Sequence, residues 1–202
     1  MDQVRLIASL PDIFLLDGLT PLASNPGVVM LADAQKGIIR RIDTITGQYA
    51  VAINSTLFAP VPQIPLGVDG VHILHDELYF TNLASSLFGR IAIDSHATAI
   101  GPAEAITNAA QLGDDFALAG DGTAYIGGNN TLWRVRKDGR VQSLVGGNGS
   151  VVVQGITSAV RARMSLDPGV LYMSTNGELF FSPAGADVHG GQILVVNVGL
   201  FY

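Results

Sequence analysis

One pattern recurs four times along the chain and constrains it more than any other feature. A short strand meets a turn, a very apolar strand follows, a third strand ends near a second tight turn, and a last strand closes the unit. The first copy predicts strands at 19–23, 28–32, 37–42 and 48–53, with turns at Asn25-Pro26-Gly27 and from Asp43 to Gly47. The second predicts 71–74, 78–81, 89–93 and 103–106, with turns at Asp76-Glu77 and from Asp94 to His96. The third predicts 116–118, 123–126, 132–136 and 141–145 around Asp121-Gly122 and Asp138-Gly139. The fourth predicts 158–161, 170–174 and 192–198, with a turn at Asp167-Pro168-Gly169 and an insertion from Asn176 to Gly190.

The copies open at Asp17, Asp69, Asp115 and Thr157, in steps of 52, 46 and 42 residues. Four antiparallel strands in roughly 40–50 residues is the period of a β-propeller blade. Asp-Gly and Pro-Gly stand where tight hairpins need them. The spacing predicts an all-β fold: one β-propeller domain over residues 1–202, with four four-stranded blades near 16–53, 68–106, 114–145 and 156–198. A β-sandwich whose hairpins are alike by chance is the alternative. Val4–Leu10 reads as a further strand with no blade before it, the leftover outer strand of a preceding unit. On this reading the four blades form an incomplete ring.

Composition agrees. At 202 residues with 48% hydrophobic and 14% charged residues, the chain can bury a full core. Its 24 glycines and nine prolines are spread along it, as many short strands and turns require. A net charge of −6 without a basic face argues against nucleic acid. No apolar run is long and clean enough to span a bilayer, since Val141–Val160 is broken by four glycines. The absence of cysteine excludes disulfides, zinc–thiolate sites and cysteine nucleophiles. Met1–Arg5 is not a signal peptide, so no compartment is assigned. The sequons at Asn54, Asn129 and Asn148 are candidate N-glycosylation sites and keep a secretory origin open.

Phe14-Leu15-Leu16-Asp17-Gly18-Leu19-Thr20, Leu78-Tyr79-Phe80-Thr81-Asn82 and Phe88-Gly89-Arg90-Ile91 resemble the six-bladed senescence-marker/gluconolactonase superfamily. Gly101-Pro102-Ala103-Glu104, Asp114-Asp115-Phe116-Ala117-Leu118 and Asp121-Gly122-Thr123-Ala124-Tyr125 narrow the likeness. The set resembles the fungal branch that holds the hetero-Diels-Alderases of tropolone–sesquiterpenoid biosynthesis. It runs from Val4 to Val198 and corresponds to the C-terminal two-thirds of such proteins, which carry two more blades ahead of it.

In a propeller the innermost strands start at the mouth of the central channel, so Asp17, Asp69 and Asp115 are expected to converge there. The competing reading is that Asp-Gly marks turns, which accounts well for Asp121 and Asp138. Three converging carboxylates would share a proton or bind a cation, and oxygen-only ligands select Ca²⁺ or Mg²⁺. The superfamily's lactonases hold a divalent metal at similar blade starts, so the resemblance implies Asp17, Asp69 and Asp115 as metal ligands. Position 69 is Asp where lactonases typically show Asn, and no Glu occupies the first site.

Two chemistries follow. A lactone hydrolase would polarise its carbonyl with the metal, with Asp115 as general base. A hetero-Diels-Alderase needs no cofactor: it gathers a quinone methide and a terpene, both small and hydrophobic, and stabilises developing charge with hydrogen bonds. Phe58, Phe88 and Phe116 are candidate apolar walls, and Asn82, Thr157 and Ser158 candidate hydrogen-bonding groups; the aromatics also read as core between blades. A non-catalytic, truncated propeller is a third reading, and a homodimer completing the ring a further expectation. His72, His75, His96 and His189 form no ligand pattern, and no Gly-x-Ser-x-Gly elbow, P-loop or dinucleotide fingerprint is present.

Overall fold

A computed structural model describes residues 4–147, 149–162, 169–177 and 190–200. Among the described residues, fifteen strands form four successive antiparallel sheets, each a simple meander in chain order. The first holds β1 (Leu16–Pro21), β2 (Val28–Asp33), β3 (Ile38–Asp43) and β4 (Tyr49–Asn54). The second holds β5 (Val68–Leu74), β6 (Glu77–Asn82), β7 (Leu87–Ala92) and β8 (Glu104–Thr107). The third holds β9 (Gly113–Leu118), β10 (Ala124–Gly128), β11 (Thr131–Val135) and β12 (Val141–Gly146). The fourth has three strands among the described residues: β13 (Ile156–Arg161), β14 (Val170–Thr175) and β15 (Ile193–Asn197). Among the described residues, helix is confined to two 3-10 turns, Thr56–Phe58 and Val198–Leu200. The chain is an all-β protein of four propeller blades.

The predicted strands recur within a few residues. The second strand of each of the first three blades is buried on both faces, so it is continuously apolar instead of alternating: Val-Val-Met-Leu-Ala in β2, Leu-Tyr-Phe in β6, Ala-Tyr-Ile in β10. Turns use the expected chemistry. Gly122 and Gly139 take φ of 85° and 84°, which a Cβ would resist. Ahead of them, the Asp121 and Asp138 carboxylates accept the backbone N–H two residues on.

Contact clustering divides the chain into two compact units. One comprises Met1–Ser85 with Gly89–Ala105, the other Ser86–Phe88 with Ile106–Tyr202. The core of the first includes Phe58 and Phe80, fully buried and edge-to-face at 4.7 Å. In the second, Ala117, Tyr125 and Leu132 of blade three pack against Ile156, Ala159, Leu171 and Met173 of blade four.

Two expectations need correction. Residues 4–10 form no strand. Arg5 donates to the Thr44 carbonyl, and the Ile7 carbonyl lies 2.5 Å from where a Cβ on Gly47 would sit. The segment thus lies against a hairpin turn, which offers no ladder of backbone groups to pair with. The second correction is the hairpin of blade two, which turns at His75-Asp76, with His75 at φ 56°, so Glu77 already belongs to β6. The Asp167-Pro168 part of the fourth turn and most of the insertion lie outside the described residues.

Candidate functional site

Every blade carries the same irregularity at the start of its innermost strand. Leu16 pairs with Asp33 and Leu19 with Leu31, so three steps on β1 match two on β2. The same count holds between Val68–Asn82 and Val71–Phe80, between Gly113–Gly128 and Phe116–Ile126, and between Ile156–Thr175 and Ala159–Met173. Each is a β-bulge, and bulges re-aim the side chains they carry. The first bulge position is Asp17, Asp69, Asp114 or Thr157; the second is Gly18, Gly70, Asp115 or Ser158.

This register relates the expected aspartates differently. Asp17 and Asp69 hold equivalent positions, inside their strands and not before them. Asp114, not Asp115, is their counterpart in blade three. Aligning the four openings on the apolar residues Leu19, Val71, Phe116 and Ala159 exposes the equivalence; counting from Asp-Gly alone conceals it.

In the first unit, Asp17 is exposed and Asp69 is buried, yet a carboxylate oxygen of each lies within 4.8 Å of the other. Glycine makes the approach feasible. A Cβ on Gly18 would stand 2.5 Å from the Asp69 carbonyl oxygen and 2.6 Å from the Val71 nitrogen. The Gly70 N–H, displaced from the ladder by the bulge, donates to Thr81 Oγ1 at 2.9 Å. Two like charges so close repel, and a hard cation held by both oxygens relieves the repulsion. The pair fits such an ion in donor type.

In the second unit the bulges are joined by side chains. Ser158 Oγ donates to Asp115 Oδ2 at 2.9 Å. Thr157 Oγ1 and Ser174 Oγ share a 2.9 Å hydrogen bond. All four residues are half-buried, so the hydroxyls sit at reduced polarity but within reach of solvent. Three of the expected residues, Thr157, Ser158 and Asp115, thus gather in one polar patch.

The remaining candidates have structural work. Asn82 is buried; its Nδ2 donates to the Leu57 and Ala59 carbonyls at 2.9 and 3.0 Å, and its Oδ1 accepts the Ser85 N–H. It clamps the 3-10 turn to β6, where an unmet backbone carbonyl would cost about 1–3 kcal/mol. Phe88 and Phe116 are buried and edge-to-face at 5.2 Å. Phe58 is equally buried. Of the sequons, Asn54 is exposed at the end of β4, whereas Asn129 is half-buried in a turn at φ 49°. Asn148 lies outside the described residues. An open groove of about 600 Å³ in the first unit runs past Asn54, Thr56, Leu57, Ile91, Thr98 and Pro102 and contains no titratable group.

No family model matches the chain. A curated protein of Phoma sp, named "Putative hetero-Diels-Alderase", is 24% identical over 199 residues, which is 86% of this chain and 56% of that protein. The calcium-binding protein regucalcin of Agrobacterium tumefaciens superposes with a TM-score of 0.62 at 14% identity, over 91% of this chain and 61% of that one. A chain of a nidogen/laminin complex gives 0.65 at 10% identity, over 94% and 62%. Virginiamycin B lyase of Staphylococcus aureus gives 0.55 at 14%, over 78% and 47%. No helix among the described residues is long and apolar enough to cross a membrane. The chain therefore spans little more than half of its curated relative. It shares the propeller fold of regucalcin and a distant sequence likeness to the Phoma protein along most of its length.

Proposed function

We propose that the chain belongs to a protein of fungal secondary metabolism that promotes an intermolecular [4+2] cycloaddition between a quinone methide and a terpene. The observation that carries this reading is the 24% identity to the Phoma protein across 86% of the chain. The reaction forms one C–C and one C–O σ bond from π electrons, with no leaving group and no net proton transfer. It therefore asks for positioning and for donors to the quinone-methide oxygen, where negative charge builds. The Thr157–Ser174 hydroxyl pair shares one hydrogen bond and leaves a second proton as a donor of the right kind, while Ser158 gives its own proton to Asp115. Incubating the protein with a quinone-methide precursor and a sesquiterpene polyene tests it: faster formation of one stereoisomer is expected. An unchanged rate and stereochemical mixture would refute it.

A second reading, metal-dependent lactone hydrolysis, is favoured by the Asp17–Asp69 pair. Those two residues would hold Ca²⁺ or Mg²⁺, whose chemistry is carbonyl polarisation, and Asp115 would serve as base. Calorimetric titration with Ca²⁺ and Mg²⁺ separates the readings, since cycloaddition needs neither ion.

A further inference from the structure

Asn54 opens the sequon Asn54-Ser55-Thr56 and stands where an attached sugar has room. It ends β4, and its backbone is fixed on both sides. Ile53 before it is buried, and Ile38 faces it across the ladder. Ser55 after it caps the 3-10 turn that carries the buried Phe58. The Asn54 and Thr56 side chains are exposed, and among the described residues no side-chain hydrogen bond engages the Asn54 amide.

The sequon at Asn129 provides the contrast. Asn129 is half-buried at φ 49° in the turn between β10 and β11, and its carbonyl accepts the Ile156 N–H at 2.7 Å. Asn130 and Thr131 are buried, and Asn130 Oδ1 accepts the Gly155 N–H. A bulky sugar has little room there.

Asn54 also lines the open groove of about 600 Å³ in the first unit. That volume lies within the range of about 300–1,000 Å³ that seats a small ligand. One wall is the end of β4 with the 3-10 turn; the other comes from β7 and the connection to β8, with Ile91, Pro102 and Ala103 as its apolar part. Ser55 Oγ accepts the Leu57 N–H and so keeps its own proton to donate. Walls without a titratable group offer nothing to a charged ligand. They suit a neutral one with an apolar face and hydroxyl edges, and a pyranose sugar is such a ligand.

We propose that Asn54 is N-glycosylated and that this groove seats the first sugar of the glycan. Attachment at the rim holds the sugar beside the groove at high effective concentration, so weak contacts suffice to seat it.

Secretion of the chain from a eukaryotic host behind a cleaved leader, followed by glycopeptide mass spectrometry, tests the site. Asn54 is expected to be occupied and Asn129 empty. Thr56→Ser should keep the sugar, and Asn54→Gln and Thr56→Ala should lose it. Thermal unfolding tests the seat. The chain trimmed enzymatically to one sugar should melt about 2–4 °C above the two unglycosylated variants, and Pro102→Ala should narrow that gap. An empty Asn54, or Asn129 occupied to the same extent, would overturn the site. A trimmed chain that melts with the unglycosylated variants would overturn the seat. Should one of those variants fail to be secreted, the other decides.

Discussion

The two units build the same bulge and close it in opposite ways. In the first, Gly18 and Gly70 follow the bulged aspartates, and neighbouring backbones approach until a single Cβ on Gly18 would collide. In the second, the equivalent residues are Asp115 and Ser158, and a side-chain hydrogen bond spans the gap. The bulges of the first unit bring two carboxylates together and leave no room for a substituent at Gly18. The Asp–Ser pair holds a hydroxyl against a carboxylate. One backbone device therefore sets two carboxylates side by side in one unit and a hydroxyl against a carboxylate in the other.

The sharpest way to break the contrast is Gly18→Ala. The new methyl would sit 2.5 Å from a backbone carbonyl that cannot step aside. A loss of about 3 kcal/mol is expected, read as a lower denaturation midpoint in urea. Ser158→Ala, at the equivalent bulge position, should cost only about 1–2 kcal/mol, since the half-buried Asp115 regains some water. Equal losses in the two variants would mean the bulges are not used differently.

The Asp17–Asp69 pair gives the next test. Asp69→Asn removes the like-charge repulsion together with one of the two carboxylates. If the lactone-hydrolase reading holds, Ca²⁺ affinity measured by calorimetry should fall at least tenfold, about 1.4 kcal/mol, while Asp115→Asn leaves it unchanged. A weaker affinity from Asp115→Asn instead would move the charge site to the second bulge position.

The smallest effect is one the units should share. Backbone N–H groups of Thr98 and His96 hold the Asp94 carboxyl below its usual 3.8, and the N–H of Arg140 does the same for Asp138. A carboxyl with a lowered folded-state pKa stabilises the fold above its unfolded value. That contribution is lost as pH falls below 3.8 and through the folded value. Asp94→Asn in the first unit and Asp138→Asn in the second should therefore each flatten the acid limb of the stability–pH curve slightly and alike. A difference between them would show that the turns are not equivalent.

Much of the fold was legible because blade strands declare themselves locally. The unbroken apolar run of β2 marks a strand buried on both faces, and Asp121-Gly122 marks a turn whatever surrounds it. The site was less legible. Asp115 was expected to match Asp17 and Asp69, but a bulge is defined against its partner strand, and sequence spacing cannot count steps on a neighbour. Asn82 read as a candidate hydrogen-bonding group for a substrate; only the nearby Leu57 and Ala59 carbonyls reveal its structural task. Val4–Leu10 has strand-like residues, but a strand also needs an edge to pair with, and a turn provides none.

By itself, then, the sequence determined the all-β class, the four blades, the tight turns and the residues from which a site is made. Those follow from local periodicity and backbone preference, which act over a few residues. The tertiary structure decided which position of each bulge an aspartate occupies, and that Asp17 meets Asp69 while Asp115 meets Ser158. Each of these depends on register between strands and on packing between residues distant in the chain, where a shift of one residue reverses the direction in which a side chain points.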